Sequence, residues 1–197
     1  MSILKRISVF CGSSSGTDPI YESQAFTLGR VLAARKIGLV FGGTRVGLMK
    51  AVADGALEGG GEVIGVIPSF IKEKGIAHEK LTKLIVVATM HERKSVMHEL
   101  SDGIIALPGG FGTLEEFFEA LTWGQLGLHM KPAAILNING FYDPLTVLLG
   151  NMVRRGFLKE ANYKMLLISR GINELLDLME NYQPPGVDKW ILKNPGA

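Results

Sequence analysis

Two carboxylates, Glu115 and Glu116, stand directly after a turn stripped of side chains. Residues 106–116 read ALPGGFGTLEE: an apolar run, a proline, three glycines within four residues, then the acidic pair. A glycine-rich turn between a strand and a helix presents backbone N–H groups, and the helix start adds its positive end, so an anion such as a phosphate is the natural guest. A carboxylate just beyond such a turn can stabilise a developing cation or take a proton from water. Arg93 is the third group of interest. In MHERKSVMHEL (90–100) it falls, at helical spacing, on the same face as Met90, Val96, Met97 and Leu100. A guanidinium there needs an inward carboxylate or a substrate oxygen. Lys94, one step round the helix, is expected to face solvent unless a ligand draws it in.

A plainer structural role is open to each of these residues. Thr113 and Glu116, three apart, fit a capping box, which would leave Glu116 with no task beyond satisfying N–H groups at a helix start. Leu114, Phe117, Phe118 and Leu121 form that helix's apolar stripe, so Glu115, Glu119 and Thr122 share another edge. Against capping alone, a glutamate beside an anion-binding turn sits near like charge.

Other chemistries lack their patterns. HERKS does not complete a HExxH zinc motif, and His91 and His98 lie two helical turns apart, about 10 Å, too far to share one ion. No metal is expected. No GxGxxG follows the first strand, no acidic residue ends the second, and no GxxxxGK[ST] occurs, so dinucleotides and P-loop hydrolysis lose support. No cofactor is expected.

The elements that must position these groups are legible as alternation. Strand-length apolar runs recur at 7–11, 37–41, 62–67, 84–88, 103–107, 133–137 and 165–169. Helical spacing lies between them, over 21–35, 47–58, 90–100, 113–126, 144–154 and 173–180, with a short helix expected within 68–83. This predicts an α/β, Rossmann-like doubly wound parallel sheet with helices on both faces. The expected organisation is one domain over 1–182 and a tail over 183–197, in which Trp190, Ile191 and Leu192 dock on the body or on a partner. Three strands run into glycine turns: VFCGSSSG with Gly12 and Ser13, VFGGTRVG with Gly42 and Gly43, and ALPGGFG with Gly109, Gly110, Phe111 and Gly112. At the carboxyl ends of such strands these turns should converge on one crevice, with Ser13, Ser14, Ser15, Thr44 and Thr113 adding hydroxyls.

Composition agrees with a globular protein of one domain. The 197 residues are 47% hydrophobic and carry 25 glycines and a single cysteine, Cys11, which excludes an internal disulfide. A net charge of +2 with mixed signs implies neither a nucleic-acid polymer nor a membrane surface as partner. With no signal-like N-terminus and no long apolar span, a cytoplasmic protein is expected.

These residues resemble the LOG (Lonely guy) proteins, cytokinin riboside 5′-monophosphate phosphoribohydrolases long mislabelled as lysine decarboxylases. The family motif PGGxGTxxE is matched by Pro108, Gly109, Gly110, Gly112, Thr113 and Glu116, with FCGSSSG, GGTRVGLM, MHERK and TWGQLGLHMKP following the same order along nearly the whole chain. The resemblance implies a Rossmann-like homodimer that hydrolyses the N-glycosidic bond of a nucleoside 5′-monophosphate to free base and ribose 5-phosphate, with residues of both subunits around the site. It implies Arg93 and Glu116 as catalytic, and Lys94, the run Gly110, Phe111, Gly112, Thr113, Leu114, Glu115 and Glu116, and Thr122 in substrate binding. The chain departs from similar bacterial sequences at Gly75, where they tend to carry glutamate, and at Lys50, where they tend to carry glycine. Two other readings stay open: a general nucleotide 5′-monophosphate nucleosidase, and a non-catalytic carrier of a phosphorylated cofactor.

Overall fold

All seven apolar runs are strands of one parallel sheet in the computed structural model, which describes residues 4–185. They are β1 (Arg6–Phe10), β2 (Gly38–Phe41), β3 (Val63–Pro68), β4 (Lys83–Val87), β5 (Gly103–Ala106), β6 (Ala133–Leu136) and β7 (Leu166–Ser169), ordered β4-β3-β2-β1-β5-β6-β7. Interior strands β2, β3, β5 and β6 are buried at every position, which is why they read as unbroken apolar runs. The edge strand β4 exposes Lys83 and Val86.

Helices α1 (Pro19–Ala34), α2 (Gly47–Glu58) and α8 (Ile172–Glu180) cover one face, burying Leu28, Leu32, Leu48, Val52 and Leu176 against Ile7, Val9 and Leu39. The chain also forms a short α3 (Ser69–Lys72) beside β3 and β4. Helices α4 (Met90–Leu100), α5 (Phe111–Gln125) and α6 (Asp143–Arg154) cover the other, with Met97, Phe117 and Ala120 packed on Phe10, Val40 and Ile104. A 3-10 turn (Ile138–Gly140) and a single-turn α7 (Glu160–Tyr163) complete the described chain; both are too short to leave a periodic signal. Where α1 crosses α2, a Cβ on Gly29 would press on the Val52 carbonyl and lie 2.6 Å from the Ala56 nitrogen, so glycine sets that close approach.

Side chains cap the starts of α1 and α4. Asp18 caps α1 by accepting from the Ile20 N–H at 2.9 Å, with Pro19 in the first turn, a cap worth about 1 kcal/mol. Thr89 caps α4 by accepting from the Glu92 N–H at 3.1 Å, while the Glu92 carboxylate accepts from the Ala88 N–H at 2.8 Å. This reciprocal cap fixes the first turn of α4, from which Arg93 projects.

Adjacent β1 and β5 are followed by connections that depart in opposite directions: the chain leaves β1 for β2 on one side and leaves β5 for β6 on the other. A crevice opens at such a switch point, outside the carboxyl ends of the strands. The expected docking of Trp190, Ile191 and Leu192 concerns residues outside those described.

Candidate functional site

The crevice is a cavity of about 290 Å³ between the turns after β1, β2 and β5. Gly12 and Ser13 enter it from the first turn, Gly42 from the second, and Gly110, Phe111, Gly112 and Thr113 from the third. Arg93 from α4 and Glu116 from α5 complete it, so both expected catalytic residues share one cavity within one chain. The Arg93 Nη1–H donates to Glu116 Oε1 at 2.5 Å, and Nε–H donates to the Val66 carbonyl at 3.2 Å. Both side chains are about 90% buried. Burial raises the Glu116 carboxyl above its ordinary range, and the adjacent guanidinium of Arg93 only partly opposes this.

Gly42 is glycine because of this pair: a Cβ there would collide with the Arg93 guanidinium. Gly110 and Gly112 differ. An added Cβ at either meets nothing within 4 Å, and neither has a positive φ, so neither backbone strain nor a protein neighbour demands glycine. Both residues line the cavity. No side chain caps α5, whose N-cap is Gly110, and the first intrahelical bond runs from the Leu114 N–H to the Gly110 carbonyl at 3.2 Å. The amides of residues 111–113 therefore have no intrahelical acceptor and carry the positive end of a helix 15 residues long. An uncapped helix start with vacant glycine positions is a fitting seat for a phosphate.

The capping-box expectation for Thr113 and Glu116 is corrected. The helix starts at Phe111, so Thr113 already lies in its first turn, and the Glu116 carboxylate bonds Arg93. The reciprocal cap is on α4 instead, at Thr89 and Glu92. Lys94 also departs from its solvent-facing expectation. It is buried but does not line the cavity, donating to Glu115 at 2.5 Å and Glu119 at 3.1 Å, so this expected substrate-binding residue is engaged elsewhere. Burial pulls its ammonium pKa down, but the bonds to the two carboxylates prevail and hold it above the usual lysine value.

Several of the expected binding residues lie off the cavity wall. Gly43 turns with φ +74 and packs against Ile67, and Gly109 packs against Thr113 and Gly12. Leu114, Glu115 and Thr122 line a different, apolar groove between α5 and α6, with Thr122 donating to the Phe118 carbonyl at 2.7 Å. Of the five hydroxyls expected in the crevice, Ser13 and Thr113 line it. Thr44 instead contacts the Met49 sulfur at 3.3 Å, and Ser14 accepts from the Gly16 N–H at 3.4 Å.

Cys11 and Met49, which the sequence does not single out for the site, also form the wall, and Met90 and Phe111 add apolar surface to it. Phe111 is 93% exposed at the mouth. The Cys11 thiol is pushed well up, first by burial and then by the Glu116 charge, so it stays protonated. Trp123 stacks edge-on with His98 at 5.2 Å, off the cavity wall. Of the departures, Gly75 adopts φ +70 with its carbonyl accepting from Arg45, and Lys50 pairs with Asp54 at 2.5 Å. Glu79 pairs with Arg45 at 3.0 Å. Among the described residues no cluster of three His, Cys, Asp or Glu side chains is arranged to hold a metal.

A parallel sheet with a glycine-walled crevice at its switch point defines the chain as a Rossmann-like α/β protein. Among solved structures it resembles the molybdenum cofactor binding protein from Rippkaea orientalis, with TM-score 0.67 and 25% identity over 88% of this chain and 93% of that one. A family model described as "Possible lysine decarboxylase" matches residues 49–179. A cytokinin riboside 5′-monophosphate phosphoribohydrolase of Arabidopsis thaliana, LOG7, is 43% identical over 93% of this chain and 84% of its own length. A second Arabidopsis relative of the same name, LOG2, is 42% identical over 93% of this chain and 86% of its own. The chain belongs to this LOG family.

Proposed function

We propose that this protein hydrolyses the N-glycosidic bond of a cytokinin nucleoside 5′-monophosphate, such as isopentenyladenosine monophosphate, to the free base and ribose 5-phosphate. One observation carries the reading: the Arg93–Glu116 pair and the uncapped, glycine-walled start of α5 face the same cavity. The 5′-phosphate seats on the amides of residues 111–113, beside Ser13 and Thr113. Anchoring this non-reacting end holds the ribose over Glu116 and turns remote binding energy into rate.

As the bond from C1′ to the base nitrogen breaks, positive charge builds on the sugar, and the Glu116 carboxylate stabilises it while accepting a proton from the attacking water. Water oxygen bonds C1′, and the base departs with the bonding electron pair and takes up a proton. Arg93 orients the Glu116 carboxylate and binds substrate oxygen. Met49, Met90 and Phe111 supply apolar surface for the base. A pyridoxal-dependent decarboxylation fits poorly, because an imine-forming lysine must lose its proton and Lys94 is held protonated by two carboxylates.

The reading includes a cytoplasmic homodimer. No described helix is long and apolar enough to cross a membrane. The groove between α5 and α6 exposes Leu148 and Phe157, an apolar surface that a second copy would cover, bringing Glu115 and Thr122 to the subunit boundary. The catalytic unit is assigned to 1–182 and the tail to 183–197.

Chromatography of free base after incubation with isopentenyladenosine monophosphate, AMP, other nucleoside monophosphates and the matching nucleosides tests the function. Release from the isopentenyl nucleotide, with little from nucleosides, is expected. Equal release from all monophosphates would indicate a general nucleosidase. Tight binding without any release would indicate a non-catalytic carrier; the Rippkaea orientalis neighbour is itself a molybdenum cofactor binding protein.

A further inference from the structure

The turn that seats the phosphate is itself held from behind by a residue outside the cavity. Pro108 has no N–H, so the entry to the PGG turn is oriented through its carbonyls. The Pro108 carbonyl accepts from the Gly12 N–H at 3.0 Å, tying the turn to the one after β1. The preceding carbonyl, of Leu107, accepts from the Tyr142 hydroxyl at 2.8 Å. Tyr142 is 2% exposed and absent from the cavity wall. Burial drives its phenol upward, so it remains a donor throughout the working pH range.

Tyr142 is in turn fixed by polar groups at its other end. Its N–H donates to Asn137 Oδ1 at 2.8 Å, the Asn137 amide donates to Asp143 at 2.6 Å, and the Asn137 N–H donates to the Ser169 carbonyl of β7 at 2.8 Å. Hydrogen bonds on either side of Tyr142 thus connect β7 to the Leu107 carbonyl, the one that enters the PGG turn. Nothing in packing alone calls for the hydroxyl, since a phenyl ring would fill the same space within the core cluster that holds Val40, Ala106 and Phe117.

We infer that Tyr142 is a positioning residue for phosphate binding: its hydroxyl, through the Leu107 carbonyl, sets the plane of the PGG turn and so aims the amides of residues 111–113. The inference rests on the proposed function for its ligand, but its test does not need turnover. Tyr142→Phe retains the ring and removes the bond. Calorimetry with ribose 5-phosphate and with inorganic phosphate, and kinetics with isopentenyladenosine monophosphate, are compared with the unaltered protein after a thermal melt confirms the fold.

The expected result is a rise of about tenfold in both dissociation constants, matched by KM, with kcat changed less than about threefold. Asn137→Ser, which loosens Tyr142 from its other end, should move the same quantities in the same direction. A lowered melting temperature with unchanged phosphate affinity and KM would reduce Tyr142 to packing and overturn the inference. If the unaltered protein binds ribose 5-phosphate and releases no base, the enzymatic reading fails while the affinity comparison still decides this one. If it binds neither phosphate ligand, both fall.

Discussion

Replacing Gly112 by alanine should make the protein more stable and the site worse. Gly112 lies in the first turn of α5, its φ is not positive, and an added Cβ meets nothing within 4 Å. Glycine at such a position costs the fold about 0.5–1 kcal/mol relative to alanine, chiefly because the unfolded chain has more freedom to lose. For a chain of this size that corresponds to a melting temperature higher by about 1–4 °C. The same methyl occupies space at the cradle and obstructs an anion approaching the helix start. Losing one charge-assisted amide contact costs about 1.5–3 kcal/mol, or about 10- to 150-fold in affinity for ribose 5-phosphate. Differential scanning calorimetry and titration of the same preparation measure both. Gly29→Ala is the control, since its Cβ presses on the α2 backbone, and it should destabilise by about 1–3 kcal/mol with the phosphate affinity unchanged. If Gly112→Ala lowers the melting temperature, or raises it without weakening ribose 5-phosphate binding, the cradle assignment is refuted.

Arg93→Ala should destabilise by about 3 kcal/mol, because it strands a buried Glu116 without its partner; chemical denaturation reads this, and a loss below about 1 kcal/mol would show the pair to be solvated. The raised Glu116 carboxyl places the acid limb of kcat/KM, which reports the free enzyme, above the ordinary carboxylate range near 4.3, activity falling as the carboxylate is protonated; a limb at or below that range would contradict the assigned role. His98 is depressed to about 4 by burial, with Lys131 and His129 adding like charge. Its stabilising contribution is therefore full above the ordinary histidine value near 6.5 and lost as pH falls toward 4. For this partly buried ring the loss is about 1 kcal/mol, and His98→Phe should remove about that much of the fall in unfolding free energy as pH drops from 6.5 toward 4, read by chemical denaturation.

The strands and long helices were legible because β-branched runs buried on both faces alternate with helical spacing, and no long-range information is needed to see it. Arg93 was legible for the same reason: a charge on an apolar stripe demands a partner, and the partner is Glu116. What sequence spacing misplaced was a helix boundary. Starting α5 two residues late turned Thr113 and Glu116 into a cap, while the working cap at Thr89 and Glu92 carried the same spacing unnoticed. Lys94 escaped because Glu115 and Glu119 belong to another helix, 21 and 25 residues along the chain. The bond from Tyr142 to Leu107 spans 35 residues and has no local signature at all. The divergence of Leu114, Glu115 and Thr122 from the cavity is a consequence of α5 itself, whose buried side carries Thr113, Glu116 and Phe117 while these three face the groove.

Glu116 is held to act on the sugar while the cradle holds the phosphate. Turnover of isopentenyladenosine monophosphate by Glu116→Gln, measured at saturating substrate alongside ribose 5-phosphate affinity, tests this most directly. The expected kcat is lower by about 10²- to 10⁴-fold, with affinity for ribose 5-phosphate intact. A variant that keeps kcat within a few-fold of the unaltered protein would contradict it.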